Sequence, residues 1–275
     1  MVRFLENFDL QEWHTFRTEA HARYFFEFSE PVELQQFLKD SPSCFEKILI
    51  LGGGSNLLFT HDFPGLVIHP SMKGIGLDGE DDRQVWVKAG AGVIWDDFVQ
   101  YTVDLGCGGV ENLSLIPGRV GATPVQNIGA YGQEAGQVIE SVTGIDLTNV
   151  EMRVIPAKDC HFSYRNSIFK QELKDRFVVT SVVYKLNKEP ELLLSYGDVA
   201  QRAKEFGVLS PATVRDAIVS IRRSKLPDPV LVGNAGSFFK NPVVTNEMAQ
   251  NLLTKFPGIQ VYRESDAFSK LSAGW

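Results

Sequence analysis

Residues 115–132, with the sequence LIPGRVGATPVQNIGAYG, form a long segment that is rich in glycine and proline and carries hardly a charge. Solvent-exposed loops are usually polar and charged, and core elements rarely hold glycine and proline at this density. Because glycine lacks a Cβ, its main-chain N–H groups can approach a ligand closely, and Gln126 and Asn127 add side-chain donors and acceptors. The pattern indicates a ligand-binding backbone, with a tightly packed structural loop as the alternative.

A second glycine cluster, Gly52-Gly53-Gly54-Ser55-Asn56, follows the apolar run at 48–51, which has the length and branching of a short buried strand. A strand that runs into successive glycines can curl its N–H groups into an anion-binding nest that suits a diphosphate. Leu57 stands where the Rossmann fingerprint needs its third glycine, and the chain has no Gly-Lys pair for a Walker A loop. A tight turn would explain this cluster alone, but two such segments together favour a dinucleotide.

The motif GGGSN after an apolar strand, followed by ENLSLIPGRVGATPVQNIGAYGQE, resembles the UDP-N-acetylenolpyruvoylglucosamine reductase (MurB) family of bacterial cell-wall synthesis. Three later segments fit the same family: CHFSYRNSIFK at 160–170, LSYGDV at 194–199 and SKLPDPVLVGNAGSFFKNPVV at 224–244. The resemblance runs from about Phe16 to the last residue. It implies an α+β fold of the FAD-binding PCMH or vanillyl-alcohol-oxidase-like type. Two flavin-binding subdomains are expected at 1–70 and 71–226, with part of a substrate-binding domain at 227–275.

The implied reaction is the reduction of UDP-N-acetylglucosamine enolpyruvate to UDP-N-acetylmuramate. Protein side chains cannot supply a hydride, so non-covalently bound FAD recharged by NADPH is expected to carry it. By resemblance, Ser237 donates the proton; a turn serine that caps a backbone amide is the alternative. Arg165 is expected to stabilise an enediolate-like intermediate through two parallel hydrogen bonds, although a lone arginine is usually a solvated or salt-bridged group.

The resemblance assigns further residues to each ligand. Cofactor contacts are expected from both glycine segments: Gly52, Gly53, Gly54, Ser55, Asn56, Pro117, Gly118, Gly121, Ala122, Gln126, Asn127, Gly129, Ala130 and Tyr131. The sugar nucleotide and the nicotinamide are expected to be lined by Tyr164, Tyr196, Lys225, Asn241 and Tyr262. Lys225 would pair with phosphate as a point charge, whereas Tyr196 and Tyr262 fit ordinary half-buried aromatics equally well. His14 stands where the family commonly has asparagine and is given no catalytic role, and Cys160-His161 is not expected to anchor the flavin.

Composition narrows the class of protein. The 275 residues are 44% hydrophobic, enough for substantial cores, and the net charge of −7 argues against a nucleic-acid binder. Cys44, Cys107 and Cys160 lie far apart without CxxC spacing, so neither a metal site nor a secreted disulfide framework is expected. Neither a signal-peptide core nor a bilayer-spanning segment is recognisable. A cytoplasmic monomer that binds a small UDP-sugar enolpyruvyl ether is the expectation.

The periodicity of apolar residues predicts mixed α and β structure. Helices are predicted at 32–39, 95–105, 246–255 and after Ser210-Pro211, where Val214, Ala217, Ile218 and Ile221 share one face. Strands are predicted at 66–69, 85–89, 139–147, 150–155 and 177–186, with a hairpin turn at 148–149.

Members of the family continue beyond the KLSAGW segment at 270–275, and their third catalytic residue, a glutamate, lies in that continuation. We therefore expect the 275-residue chain to be C-terminally truncated and to turn over little. Three hypotheses follow: a working enolpyruvyl reductase, a flavin- or nucleotide-binding fragment without catalysis, or another oxidase of the same flavin fold. The family contexts of Ser237, Arg165 and Lys225 argue against the third.

Overall fold

The computed structural model describes residues 2–40, 45–237 and 239–275, so Cys44 lies outside the described residues. The chain divides into two compact units, Met1–Asn234 and Ala235–Trp275, called here the first and the second unit. The predicted domain divisions at residues 70 and 226 remain predictions. None of the helices among the described residues is long and apolar enough to span a membrane.

The first unit begins with a four-stranded sheet and one helix. Its elements are β1 (Arg3–Asp9), β2 (His21–Phe28), α1 (Pro31–Asp40), β3 (Ile48–Ile50) and β4 (Phe63–Pro70). The strand order is β1-β2-β4-β3, with β1 antiparallel to β2 and both other pairs parallel. β3 is the last strand in this order, and its carboxyl end leads into the glycines at 52–54 at that edge of the sheet.

β2 is buried on both of its faces. Phe25 and Phe26 are 0% and 1% exposed. The ring of Phe26 stacks 3.9 Å from that of Phe37, and the ring of Phe25 stacks 4.0 Å from that of Phe8. A strand covered on both faces shows no polar–apolar alternation, which is why periodicity did not identify β2.

A five-stranded antiparallel sheet forms the rest of the core of the first unit. It has the order β10-β9-β11-β6-β5. Its strands are β5 (Ile75–Glu80), β6 (Gln84–Gly90), β9 (Ile139–Asp146), β10 (Glu151–Pro156) and β11 (Phe177–Asn187). The strands predicted at 85–89, 139–147, 150–155 and 177–186 and the hairpin turn at 148–149 are thereby confirmed. A two-stranded hairpin, β7 (Gly129–Ala130) with β8 (Gln133–Glu134), lies within the second glycine segment and its flank.

Three helices accompany this sheet: α2 (Trp95–Asp104), α3 (Val199–Glu205) and α4 (Pro211–Lys225). The Ser210 hydroxyl accepts a hydrogen bond from the Thr213 N–H at 3.3 Å, and Pro211 occupies the first turn, so α4 begins with a capping box. Its predicted apolar face is buried. α1, α2 and α4 confirm predictions, whereas α3 had not been identified.

The second unit is a small antiparallel sheet with one helix. Its elements are β12 (Val243–Thr245), α5 (Asn246–Lys255), β13 (Val261–Arg263) and β14 (Phe268–Leu271), and the strand order is β12-β14-β13. The Thr245 hydroxyl caps α5 by accepting a hydrogen bond from the Met248 N–H at 3.2 Å. The predicted helix at 246–255 is confirmed. Among the described residues of this unit, only Ala249, Ser269 and Leu271 are buried.

Candidate functional site

The first glycine segment (52–56) lies directly against the second (115–132). A Cβ on Gly53 would lie 2.9 Å from the Gly118 Cα, closer than real Cβ atoms approach other atoms. The Ser55 hydroxyl donates a hydrogen bond to the Pro117 carbonyl at 2.8 Å. The two segments that the sequence singled out separately therefore form one continuous backbone surface.

Gly54 must be glycine for two independent reasons. Its φ is +61°, a conformation that other residues adopt at a cost, and any Cβ there would clash with the backbone of Trp13 and His14. The Thr15 N–H also donates to the Gly54 carbonyl at 3.3 Å. The turn after β3 is therefore packed against residues 13–15.

The start of the second glycine segment is held by the turn that precedes α2. The Trp95 N–H donates to the Gly118 carbonyl at 3.0 Å, and the Gly121 N–H donates to the Ala91 carbonyl at 3.0 Å. A Cβ on Gly121 would lie 2.7 Å from that of Ala91. The predicted cofactor residues Pro117, Gly118, Gly121 and Ala122 are exposed or half-buried on this rigid path.

Asn127 is 1% exposed, and its side chain forms hydrogen bonds that hold the second glycine segment in place. Its amide nitrogen donates to the Glu134 carboxylate at 2.7 Å and to the Ser163 carbonyl at 3.0 Å, and its amide oxygen accepts from the Gly136 N–H at 2.7 Å. These bonds tie the β7–β8 hairpin to residue 163. Among the predicted cofactor residues, Asn127 thus has a clear structural role, while Gln126, Gly129, Ala130 and Tyr131 are half-buried beside it.

Arg165 is brought to the same hairpin. One guanidinium nitrogen donates to the Gly129 carbonyl at 2.5 Å, and the guanidinium carbon lies 5.7 Å from the ring centre of Tyr164. The Arg165 backbone has a φ of +57°, so the residue sits on a tight turn that non-glycine residues adopt only when the surroundings hold them there. The structure thus joins a predicted catalytic residue to a predicted cofactor residue.

Two predicted tyrosines also meet. The rings of Tyr131 and Tyr196 pack edge to face with centres 5.6 Å apart. Burial raises the pKa of Tyr131 against the opposing effect of Arg222, so its phenol is neutral at pH 7. Tyr164 and Tyr196 are both half-buried, and Lys225 is exposed at the last position of α4.

An ion pair that sequence reasoning missed secures the first residue of the second glycine segment. Arg215 on α4 donates to both carboxylate oxygens of Asp96 on α2, at 2.7 and 2.8 Å, and is 9% exposed. Asp96 also accepts from the Leu115 N–H at 2.5 Å, and Arg222 donates to the Leu115 carbonyl at 3.2 Å. Leu115 itself has a φ of +57°. Burial would raise the pKa of Asp96, but the bonds from Arg215 and Leu115 outweigh burial and lower it.

A cavity of about 150 Å³ opens beside the first glycine segment. Its lining comes from three places in the first unit: residues 12–17 with the exception of Phe16, Gly52 with Gly53 and Arg119, and Pro229 with Val230. The 229–230 stretch is held there because Arg17 donates to the Val230 carbonyl at 3.1 Å. The described residues provide no hydrogen-bond partner for the buried His14 Nδ1 or for the Thr15 hydroxyl.

The second unit carries the other predicted residues. Ser237 is exposed, and its hydroxyl donates to the Phe239 carbonyl at 3.3 Å. Asn241 accepts a hydrogen bond from the Ala273 N–H at 2.9 Å, and the Tyr262 hydroxyl donates to the Gln260 side chain at 2.8 Å.

The two buried cysteines are poorly suited to the covalent attachment of a cofactor. Cys160 is 0% exposed, and burial raises the pKa of its thiol to about 12, so the nucleophilic thiolate is not formed near pH 7. Cys107 is also buried, and burial raises its pKa as well. In the part of the chain that the structure describes, no group of three or more histidine, cysteine, aspartate or glutamate side chains could bind a metal ion.

Comparison with known proteins gives a consistent picture. Residues 22–152 match a family described as "FAD binding domain". The UDP-N-acetylenolpyruvoylglucosamine reductase of Flavobacterium johnsoniae is 45% identical over 272 residues, which span 98% of this chain and 80% of that protein. The enzyme of the same name from Neisseria gonorrhoeae is 47% identical over 270 residues, 97% of this chain and 78% of that protein.

A solved structure agrees at the level of the fold. The crystal structure of UDP-N-acetylenolpyruvylglucosamine reductase (MurB) from Thermus caldophilus superposes with a TM-score of 0.64 at 24% identity, over 88% of this chain and 75% of that one. Together with the FAD-binding match, this similarity confirms the predicted α+β flavin-binding fold. The predicted roles of individual residues are not tested by these similarities and stay predictions.

Proposed function

The chain belongs to the UDP-N-acetylenolpyruvoylglucosamine reductase family, and on that premise we propose that it reduces UDP-N-acetylglucosamine enolpyruvate to UDP-N-acetylmuramate with FAD and NADPH. The observation that supports this activity best is the direct contact between the two glycine segments beside a cavity, with Arg165 bonded to the second of them. In the same proposal, the protein is a cytoplasmic monomer that takes a small UDP-sugar substrate.

The residues present fit a dinucleotide. A Cβ on Gly53 would collide with Gly118, and Gly118 has a φ of +135° that residues with a Cβ rarely adopt. Both positions therefore keep a bare backbone, which lets main-chain N–H groups reach phosphate oxygens. Two residues of the cavity lining, His14 and Thr15, each hold a buried polar atom, Nδ1 and Oγ1, that has no partner among the described residues. When bound, FAD supplies hydride transfer, which no side chain can perform.

Arg165 is proposed to stabilise the negative charge that develops on the carboxylate side of the substrate. Its bond to the Gly129 carbonyl fixes one guanidinium nitrogen and thereby aims the planar group from the flavin-side hairpin. A guanidinium held in advance of the reaction needs little reorganisation when charge develops, which is the basis of electrostatic catalysis. Tyr164, under the same guanidinium, would help to hold its plane.

Ser237 is proposed to protonate the neighbouring carbon of the substrate. Its hydroxyl is exposed, and the bond that it makes to the Phe239 carbonyl is long, at 3.3 Å, so little is lost when it turns to a ligand. Tyr196, Lys225, Asn241 and Tyr262 are proposed to bind the sugar nucleotide and the nicotinamide. We also propose the functional division into flavin-binding regions at 1–70 and 71–226 and a substrate-binding region at 227–275.

The test follows the visible absorption of FAD bound to the purified protein, under anaerobic conditions, as NADPH and then the enolpyruvyl substrate are added. The proposal expects bleaching on NADPH and return of colour on substrate. Bleaching without return would leave a flavin-binding protein that does not reduce the substrate. A protein that takes up no FAD on reconstitution would overturn the proposal.

The R165M variant separates binding from chemistry. It should still bind FAD and bleach with NADPH, while the return of colour slows about 100-fold because one preorganised charge partner is lost. R176M is a matched control, since Arg176 pairs with Asp146 in the β9–β11 region of the sheet, and it should leave both half-reactions close to the parent rates.

A further inference from the structure

Arg119 occupies a position that the two glycine segments create. It follows Gly118, and a Cβ on Gly53 would lie 3.5 Å from the Arg119 backbone nitrogen. Its side chain is half-buried and lines the same cavity as Gly52 and Gly53. One guanidinium nitrogen donates to the Gly92 carbonyl at 2.6 Å, which holds the group in place.

The charge of Arg119 has no ion-pair partner in the part of the chain that the structure describes. No carboxylate oxygen of the described residues lies within 4.0 Å of its guanidinium, and Glu27, the acidic group that acts on it from further away, is paired with Arg3 at 3.0 Å. Burial lowers the pKa of Arg119, but a guanidinium stays charged near pH 7. A partly desolvated cation without an ion pair lowers the stability of the folded protein unless an anion binds next to it.

The other ionisable groups around the cavity do not supply that anion. Glu12 is 3.8 Å from Arg17, so these two offset each other. His69, beneath the first glycine segment, is neutral at pH 7 because burial and the nearby Arg119 lower its pKa to about 4. The lining therefore keeps one net positive charge beside two bare glycines.

We propose that Arg119 binds the diphosphate of the dinucleotide cofactor, together with the backbone of Gly52 and Gly53. This inference rests on the proposed FAD binding and extends it to a residue that neither glycine motif nor charge pattern had marked. The cavity, at about 150 Å³, is below the roughly 300–1,000 Å³ of sites that enclose whole small molecules, so it suits the phosphate part of a larger ligand. An arginine fork can hold two phosphate oxygens at once.

The test compares R119Q with the parent protein in titrations of the apo-protein with FAD, FMN and riboflavin, followed by quenching of flavin fluorescence. R83Q is the control, because Arg83 is an exposed arginine of the same unit. For R119Q the Kd of FAD should rise about 10- to 100-fold, the range expected for a lost charged hydrogen bond. Riboflavin, which has no phosphate, should bind both proteins equally, and R119K should recover part of the FAD affinity as a point charge.

Two further results would overturn the inference. An FAD affinity of R119Q equal to that of R83Q would remove Arg119 from the site. An equal loss for FAD and riboflavin would mean that Arg119 only shapes the cavity. Because UDP-sugars and NADPH also carry diphosphates, their KM values are measured at saturating FAD; an increase for either in R119Q would assign the charge to that ligand instead.

A second measurement covers the case in which R119Q does not fold. In the parent protein, ADP should raise the Tm more than adenosine does, and R119K, which keeps the charge, should retain part of the difference. Equal shifts for ADP and adenosine would contradict a phosphate site. If the parent protein binds no FAD at all, the proposed function fails and the inference with it, whereas FAD binding that is insensitive to Arg119 overturns the inference alone.

Discussion

The glycine segments of the first unit and the Ser237 turn of the second are held by different kinds of contact. Gly53 meets Gly118, Ser55 binds Pro117, and Asp96 reaches Arg215, all across long separations in sequence. In the second unit, Ser237 bonds to Phe239 and Tyr262 to Gln260, only two residues away. The comparison teaches that the proposed cofactor surface depends on bonds between distant parts of the chain. The hydroxyl of the proposed proton donor bonds to a neighbour in sequence, although Asn241 in the same unit binds the distant Ala273.

The largest effect that separates the two regions is expected from S237A. Loss of a proton donor should slow the return of flavin colour by about 10²- to 10⁴-fold, while FAD affinity and bleaching by NADPH stay unchanged. Rapid-mixing absorbance measures the two half-reactions separately. S224A is the control, because the Ser224 hydroxyl donates to the Ile221 carbonyl within α4. If S237A weakened FAD binding instead, the distinction between the two regions would be wrong.

Acid should destabilise the first unit through His69, a buried histidine whose Nδ1 lies 2.7 Å from the Leu51 carbonyl next to Gly52. Its pKa is lowered from 6.5 to about 4 in the folded protein by burial and by Arg119. The unfolded chain therefore takes up a proton as pH falls below 6.5 and the folded one does not. The free energy of unfolding therefore keeps its full value, as far as His69 is concerned, above pH 6.5. It falls by up to about 3 kcal/mol as the pH drops from 6.5 to 4.

Urea unfolding of the parent protein and of H69Q between pH 7 and 4 measures this contribution. H69Q should show a smaller fall in the free energy of unfolding over that range, whereas H61Q, at an exposed site, should follow the parent. Parallel curves for the parent and H69Q would show that protonation of His69 does not contribute to the loss of stability in acid.

D96N tests whether distant elements hold the second glycine segment. Neutralising the partner of the buried Arg215 should lower the free energy of unfolding by about 1.5–3 kcal/mol and weaken FAD binding, because the Leu115 N–H loses its charged acceptor. D97N is the matched control, since Asp97 is exposed on the same turn of α2. Equal stability and FAD affinity in the two variants would contradict a role for the Asp96–Arg215 pair.

The smallest of these effects is expected from G54A. The positive φ and the clash with residues 13–14 should cost about 1–3 kcal/mol of stability and disturb the turn that is proposed to contact the cofactor. G76A should be close to neutral, because a Cβ there meets nothing within 4 Å. Chemical denaturation and an FAD titration of both variants provide the check; an unperturbed G54A would mean that the turn adapts.

Much of the fold could be predicted because its signals are local. The face of α4 repeats with helical spacing, and Ser210-Pro211 marks its start, so the sequence alone placed this helix. β9, β10 and β11 likewise carry apolar runs with a recognisable turn between the first two. β2 went unrecognised because burial on both of its faces removes the alternation that identifies a half-exposed strand.

The sequence by itself identified the family and the flavin-binding fold through the resemblance of its motifs. It also located the two glycine segments, because glycine-rich stretches and turns can be recognised from consecutive residues. Only the tertiary structure decided that these segments touch, that Asp96 and Arg215 hold Leu115, and that Arg119 lines the cavity with no ion-pair partner among the described residues. The physical reason is that a charge acquires its role from burial and from neighbours within a few ångströms. Those neighbours, such as Asp96 and Arg215, lie far apart along the chain and meet only when it folds.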